Sequence, residues 1–208
     1  MVKKMEKTYL LRRGGAYLID ILIVTLFVYC ISQIKFLNPQ LNEYNNTFNE
    51  YSELYQNQKN SYELYQDQTY QNLTYMLAKT GMTTTIIDIF VTIGYFVVFQ
   101  KLNKGQTVGK KLMYLKLEAK DGIPVSWEQI SLRSVLIYYN IVPDILNVIM
   151  VLCASKMTFF YTNLISTLVF TSLFYISVLM AFFRKDNLGL HDILSQTKVI
   201  DLYPQKKA

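Results

Sequence analysis

The sequence predicts an all-α integral membrane protein: a four-transmembrane-helix bundle with both termini cytoplasmic and a helical extracellular insertion between helices 1 and 2. Three observations lead there. Of the 208 residues 51% are apolar, and they gather in four windows of about twenty residues, where a soluble domain would disperse its charges. The cations cluster outside those windows, in the leader, one connection and the tail. The longest polar connection is instead acidic and rich in tyrosine.

The windows are residues 15–36, 83–101, 132–153 and 158–183. Each is long enough to cross a hydrocarbon core about 30 Å thick, which takes roughly 20 helical residues. The first resembles a signal peptide in having basic residues before an apolar run. Asp20 lies inside that run and no small-x-small cleavage site follows, so it reads as a retained anchor. Only Ala154-Ser155-Lys156-Met157 separates the last two windows, which makes them a tight helical hairpin.

Orientation follows from charge. The leader carries Lys3, Lys4, Lys7, Arg12 and Arg13. The 101–133 connection carries Lys101, Lys104, Lys110, Lys111, Lys116, Lys120 and Arg133, and the tail Arg184, Lys185, Lys198, Lys206 and Lys207. Residues 38–82 hold two cations, Lys59 and Lys79, against Glu43, Glu50, Glu53, Glu63 and Asp67. The positive-inside rule therefore puts both termini and the 102–131 loop in the cytoplasm and 38–82 outside a cell membrane, as parts of one membrane domain spanning 1–208. The net charge of +6 is a topology signal, and no nucleic-acid partner is expected. The single His and the absence of a CxxC exclude a His-rich or Cys-rich metal site. Cys30 and Cys153 read as buried thiols near the outer ends of their spans.

Within the insertion, Asn38-Pro39 has the form of an N-cap followed by Pro at the first helical position. Leu41, Tyr44, Phe48, Tyr51, Tyr55, Gln58, Tyr62 and Tyr65 recur at steps of three and four, a helical seam that Gly81 can terminate. One helix of that length would reach about 60 Å, so a hairpin broken near residues 57–60, or a helix lying on the headgroups, is required. The seam either packs on itself or offers Tyr44, Phe48, Tyr51, Tyr55, Tyr62 and Tyr65 to a partner. In the inner loop, Gly105-Gln106-Thr107-Val108-Gly109-Lys110-Lys111 misses the phosphate-binding motif by its glycine spacing and its second Lys, so no nucleotide is expected. Alternation over 112–117 and the turn Lys120-Asp121-Gly122 predict a local β-hairpin before Pro124.

An ionised Asp at the centre of a span costs roughly 2.5–3.5 kcal/mol on insertion scales, and Asp20, Asp88 and Asp144 each lie in a different span. Arg13 sits two turns from Asp20. Arg133, Asn140, Asp144 and Asn147 follow one seam of the third window, where Pro143 frees a carbonyl and can kink the helix. Asp88, Thr92 and Tyr95 share a face of the second window, and Asn163, Ser166 and Ser177 lie on the fourth. Two readings stay open: helix-holding polar contacts, or a cation or proton path through Asp20, Asp88, Asp144, Asn140 and Asn147.

Arg12-Arg13-Gly14-Gly15-Ala16-Tyr17-Leu18-Ile19-Asp20, the Gly105–Lys111 loop followed by Lys120-Asp121-Gly122, Arg133, and His191-Asp192 with Thr197 together resemble the RDD family of small bacterial membrane proteins. The resemblance covers residues 5–36 and 83–202. It implies Arg13, Asp20 and Asp192 as the residues for which the family is named. Gly14 and Gly15 depart from it, and the 38–82 insertion lies outside its motifs. It also implies transport, including exchange of monovalent cations for protons in some members, or an accessory role in membrane machinery. On this reading Asp192 lies just past the last span, where Gly189 ends the helix and lets it fold back toward Lys110 or Arg13, either as an ion-pair lock or as part of an ion entry.

Two functions follow as expectations. The first is a cation/proton exchanger in which Asp20 and Asp144 take up ions and Arg13 and Arg133 tune their affinity. So small a chain without an inverted repeat would then act as a homo-oligomer. The second is a non-catalytic adaptor that binds a membrane protein or anionic lipid through the Tyr-rich helices or the basic loop. No cofactor and no enzyme chemistry is expected, since no nucleophile–base pair or metal cluster appears.

Overall fold

A computed structural model describes residues 2–57 and 61–202, with the backbone alone for 2–8, 61 and 62. Gln58 and Lys59 of the insertion and Lys206 and Lys207 of the tail lie outside the described residues, as do the side chains of Lys3, Lys4, Lys7 and Tyr62. The chain is mostly helical. Helix α1 runs Val2–Ser32, and the insertion forms α2 (Leu41–Asn57), α3 (Ser61–Gln66) and α4 (Gln68–Thr80). Next come α5 (Met82–Ile93), a π-helical stretch Gly94–Phe99 and α6 (Gln100–Leu102). The inner loop contains α7 (Val108–Leu112) and strand β1 (Leu115–Ala119). Then follow α8 (Trp127–Ile137), α9 (Ile141–Cys153), α10 (Lys156–Phe183), α11 (Leu190–Leu194) and β2 (Thr197–Asp201).

Three stretches are long and apolar enough to cross a membrane: Tyr9–Ser32, Met82–Leu102 and Lys156–Phe183. The shortest has 21 residues, about 32 Å of helix at 1.5 Å per residue, which matches the hydrocarbon thickness. A fourth exists if α8 and α9 are read as one broken span. The predicted window 132–153 is thus not one continuous helix. Its break falls at Tyr138–Asn140, ahead of Pro143, because a proline ring collides with the carbonyl four residues earlier, at Tyr139. Pro143 itself sits in the first turn of α9, where its missing N–H leaves nothing unpaired. The stripe Arg133–Asn140–Asp144–Asn147 therefore does not lie on a single helix.

The fold divides into two units. One comprises residues 1–27, 91–139 and 171–208. Its core is Ala16, Val97, Leu115, Leu117, Val125, Ile130 and Val199. Beside its helices the unit holds two short strands. Strand β1 does not form a local hairpin but pairs antiparallel with β2, Leu117 opposite Val199 and Ala119 opposite Thr197. Leu115, Leu117, Ala119, Thr197 and Val199 point inward, the period-two alternation of a half-buried strand, and the apolar side of the tail finds its cover in β1.

The other unit comprises residues 28–90 and 140–170. Helix α2 packs on α4, so the insertion is a helical hairpin; the break predicted at 57–60 falls on undescribed residues. Leu64, Tyr70 and Phe160 are its buried centre, with Tyr51 and Leu54 against them. Asn38 does not cap a helix, since α2 begins at Leu41. Its amide donates instead to Ser32 O (3.2 Å) and Thr84 Oγ1 (3.1 Å). Asp67 is the cap of α4, accepting from Thr69 N at 2.7 Å. Gly81 does end α4, and a Cβ there would meet Leu77 O at 2.8 Å and the Tyr44 ring at 3.0 Å. Cys30 and Cys153, expected buried, are exposed and unbridged; on apolar spanning helices an outward thiol meets lipid rather than water.

Candidate functional site

In the first unit the site is built around two carboxylates. Asp20 is buried in α1 at 1% exposure. Its Oδ1 accepts from Tyr95 Oη (2.7 Å) and from Gly109 N (2.7 Å), and its Oδ2 accepts from Thr107 Oγ1 (2.5 Å). Thr107 is also the N-cap of α7, accepting from Lys110 N, and the first turn of that helix gives the Gly109 amide to the carboxylate. Gly109 is there because nothing larger fits: a Cβ would stand 2.2 Å from Ala16 O and 2.8 Å from Asp20 Oδ1. Gly105 is required for a second reason, a left-handed φ of +89° with its backbone pressed on Leu117 O. The Gly105–Lys111 motif is therefore a receptor for the Asp20 carboxylate. Tyr95 reaches it from the π-helical stretch and also accepts from Val108 N at 3.1 Å. The wider π turn offsets the side-chain register that α5 alone would give.

Asp192, fully buried in the first turn of α11, joins the arginines. Arg13 Nη2 donates to its Oδ2 at 2.7 Å and Arg133 Nη1 donates to its Oδ1. The Gly189 amide adds a third bond at 2.9 Å. The guanidinium side chains keep only 12% and 5% exposure. Arg13 also donates to Asn187 O at 2.6 Å and Arg133 to Thr197 Oγ1 at 3.0 Å. Burial by itself would raise the Asp192 pKa, but Arg133, the His191 bond and Arg13 hold it well below the ordinary carboxylate value. Burial first, and Arg133 second, push His191 down to about 4, so its ring is neutral. Its Nε2 donates to Asp192 Oδ2 at 3.3 Å, which leaves Nδ1 to accept from Ser177 Oγ at 2.5 Å.

The expected roles of the arginines change accordingly. Both close on Asp192, so neither acts as the direct partner of Asp20 or Asp144. Lys110 does not pair with Asp192 either; its ammonium reaches Thr107 Oγ1 at 3.4 Å, and burial lowers its pKa to about 8. Gly189 does not end the last span, which stops at Phe183, but opens α11. Arg13, Asp20, Lys110 and Arg133 line one cavity of about 330 Å³ whose other walls are apolar, among them Tyr17, Phe174 and Val178. Sequence reasoning omitted Tyr95, Thr107 and Gly109 from the candidate site. A Thr ahead of Val-Gly-Lys-Lys is the kind of residue that caps a helix and could have pointed to Thr107.

The second unit holds the other polar candidates. Asn140 Nδ2 lies 3.5 Å from Asp88 Oδ2. Asp144, one turn further along α9, lies beside the same Asn140 side chain and is close enough to Asp88 for the two charges to repel. Asn147 Oδ1 accepts from Asn163 Nδ2 at 2.8 Å. In the hairpin, Tyr51 and Tyr70 share a hydroxyl contact of 3.0 Å, Tyr44 stacks on Phe48, and Tyr51 on Tyr55. Tyr65 meets Tyr70 edge-on. Phe48, Tyr55 and Tyr65 remain exposed. Among the described residues no group of three His, Cys, Asp or Glu could hold a metal ion.

Three helices long and apolar enough to cross a membrane, or four with the bent pair α8 and α9, define a helical protein of membrane type. The model of the RDD family matches residues 8–196, most of the chain, and the protein belongs to that family. The match encloses the 38–82 insertion. No curated protein and no solved structure matches it.

Proposed function

We propose that the protein exchanges a monovalent cation for protons across the cell membrane at the Asp88–Asn140–Asp144 group. The observation that carries this reading is that two acids on apolar helices, Asp88 and Asp144, stand beside one Asn140 side chain and close to each other. Two carboxylates that repel in an apolar setting favour holding one proton, or one cation, between them. Asp20 is a poorer ion ligand than expected, because three donors already occupy it. Asp20 and Asp192 hold the first unit together on this account. Both termini and the 102–131 loop face the cytoplasm by the distribution of Lys and Arg, and a homo-oligomer supplies what so small a bundle lacks for alternating access.

Proteoliposomes loaded with a pH dye test the proposal. Sodium, lithium or potassium pulses should alkalinise or acidify the lumen with wild-type protein, and Asp144→Asn should abolish the response. Silence of the wild type toward all three ions refutes it.

A second reading is favoured by the exposed ring faces of Phe48, Tyr55 and Tyr65, which suit an adaptor that binds a membrane protein partner. Deleting residues 41–79 should then release a stoichiometric partner from detergent pull-downs. Unchanged recovery counts against it.

A further inference from the structure

The cavity of the first unit has features that an ion-pair lock does not need. Its charged wall holds Arg13, Arg133 and Lys110 against Asp20, beside a neutral His191. The two arginines are satisfied by Asp192 and Asp20 by its three donors. Lys110 is left over. Among the described residues no carboxylate lies within ion-pairing distance of its Nζ, and its one side-chain contact, Thr107 Oγ1, is a hydroxyl at 3.4 Å. A half-buried ammonium that makes no ion pair, with Asp20 nearby but already held by three donors, is a site for an anion, because desolvation that is only partly offset is costly and an incoming anion relieves it. The lowered pKa of Lys110, about 8, agrees with a cation short of partners.

The remaining walls say what should be attached to that anion. Leu18, Tyr175 and Phe182 line the cavity and are also 65%, 60% and 59% exposed on the apolar helices α1 and α10. The mouth therefore opens sideways, through surface that the hydrocarbon phase covers. A volume of about 330 Å³ lies at the low end of small-molecule sites, enough for a headgroup and part of one chain.

We propose that this cavity binds an anionic lipid, its headgroup on Lys110 and its acyl chain along Phe174 and Val178, leaving through the mouth at Leu18, Tyr175 and Phe182. The shared chemistry is a singly charged acidic head on an alkyl chain, supplied by an acidic phospholipid or by a free fatty acid. The site is separate from the Asp88–Asn140–Asp144 group and does not depend on ion exchange.

Photo-crosslinking of the purified full-length protein tests it, using diazirine-bearing phosphatidylglycerol, palmitate and phosphatidylcholine. At least one anionic probe should label peptides containing Tyr175 or Phe182 five-fold or more above phosphatidylcholine. Labelling by phosphatidylglycerol alone identifies a phospholipid site, and by palmitate alone a fatty-acid site; either supports the proposal. Lys110→Gln should reduce labelling to the phosphatidylcholine level, and Lys110→Arg should retain it. Should Lys110→Gln fail to fold, Val178→Trp, which fills the chain channel, should block labelling instead. Equal labelling by all three probes overturns the proposal. So does labelling unaffected by Lys110→Gln and Val178→Trp, or displacement of the probe by millimolar inorganic phosphate as readily as by unlabelled lipid.

Discussion

Replacing Asp192 by Asn keeps the shape of the side chain and removes the one negative charge between two buried arginines. Arg13 and Arg133 each reach a different oxygen of that carboxylate. Two unit charges about 5 Å apart repel by about 3 kcal/mol at an effective dielectric constant of 20. Removing one partner from a buried ion pair costs about 3–5 kcal/mol in comparable settings. For a chain of this size that corresponds to a fall in Tm of roughly 6–20 °C. The assay is thermal unfolding of the purified protein in detergent, followed by intrinsic fluorescence and by retention of a monodisperse peak. A combined variant, Arg13→Met with Arg133→Met and Asp192→Leu, leaves no charge unpaired and should be more stable than Asp192→Asn alone. A Tm loss under 2 °C for Asp192→Asn, or a triple variant worse than the single one, would refute it.

Further expectations concern the same unit. Gly109→Ala drives a methyl group onto Ala16 O and the Asp20 carboxylate, so it should lower Tm sharply, whereas Gly14→Ala, with open space around it, should leave Tm within about 2 °C. Tyr95→Phe removes a hydroxyl that donates to Asp20 and accepts from Val108 N; a cost of about 1–3 kcal/mol is expected in equilibrium denaturation. Stability should also fall in acid. Between pH 6.5 and 4 the unfolded chain binds a proton at His191 that the folded chain refuses, so stability declines as pH drops through that window, by about 3 kcal/mol in all. Asp192, held below its ordinary value, adds to the loss only at lower pH. His191→Gln should flatten the decline between pH 6.5 and 4, and a melt series across pH reads it directly.

The spans were legible because hydropathy is a local property: Tyr9–Ser32, Met82–Leu102 and Lys156–Phe183 overlap the apolar windows closely. The break in the third window was signalled by Pro143 but displaced, since the ring acts on the carbonyl four residues back and not at its own position. Pairing of β1 with β2 was not legible. Leu115–Ala119 and Thr197–Asp201 are some eighty residues apart, and each alternates too briefly to name its partner. The π-helical stretch that delivers Tyr95 left no mark beyond Gly94 at its start. Arg13, Asp20 and Asp192 stood out by their surroundings, an acid among apolar residues and a resemblance carried by several short motifs. Thr107 and Gly109 did not, because one acts as a cap and the other by having no side chain, and both roles appear only once the Asp20 carboxylate is seated against α7.

The division of labour between the acids is the central claim, and one comparison tests it most directly: cation-driven proton flux per folded molecule, in the same proteoliposomes, for Asp20→Asn and Asp144→Asn. Asp20→Asn should lower the yield of folded protein yet keep most of the flux of each folded molecule, and Asp144→Asn should fold normally and lose it. Flux lost with Asp20→Asn but kept with Asp144→Asn would contradict the account and return the ion site to the carboxylate on α1.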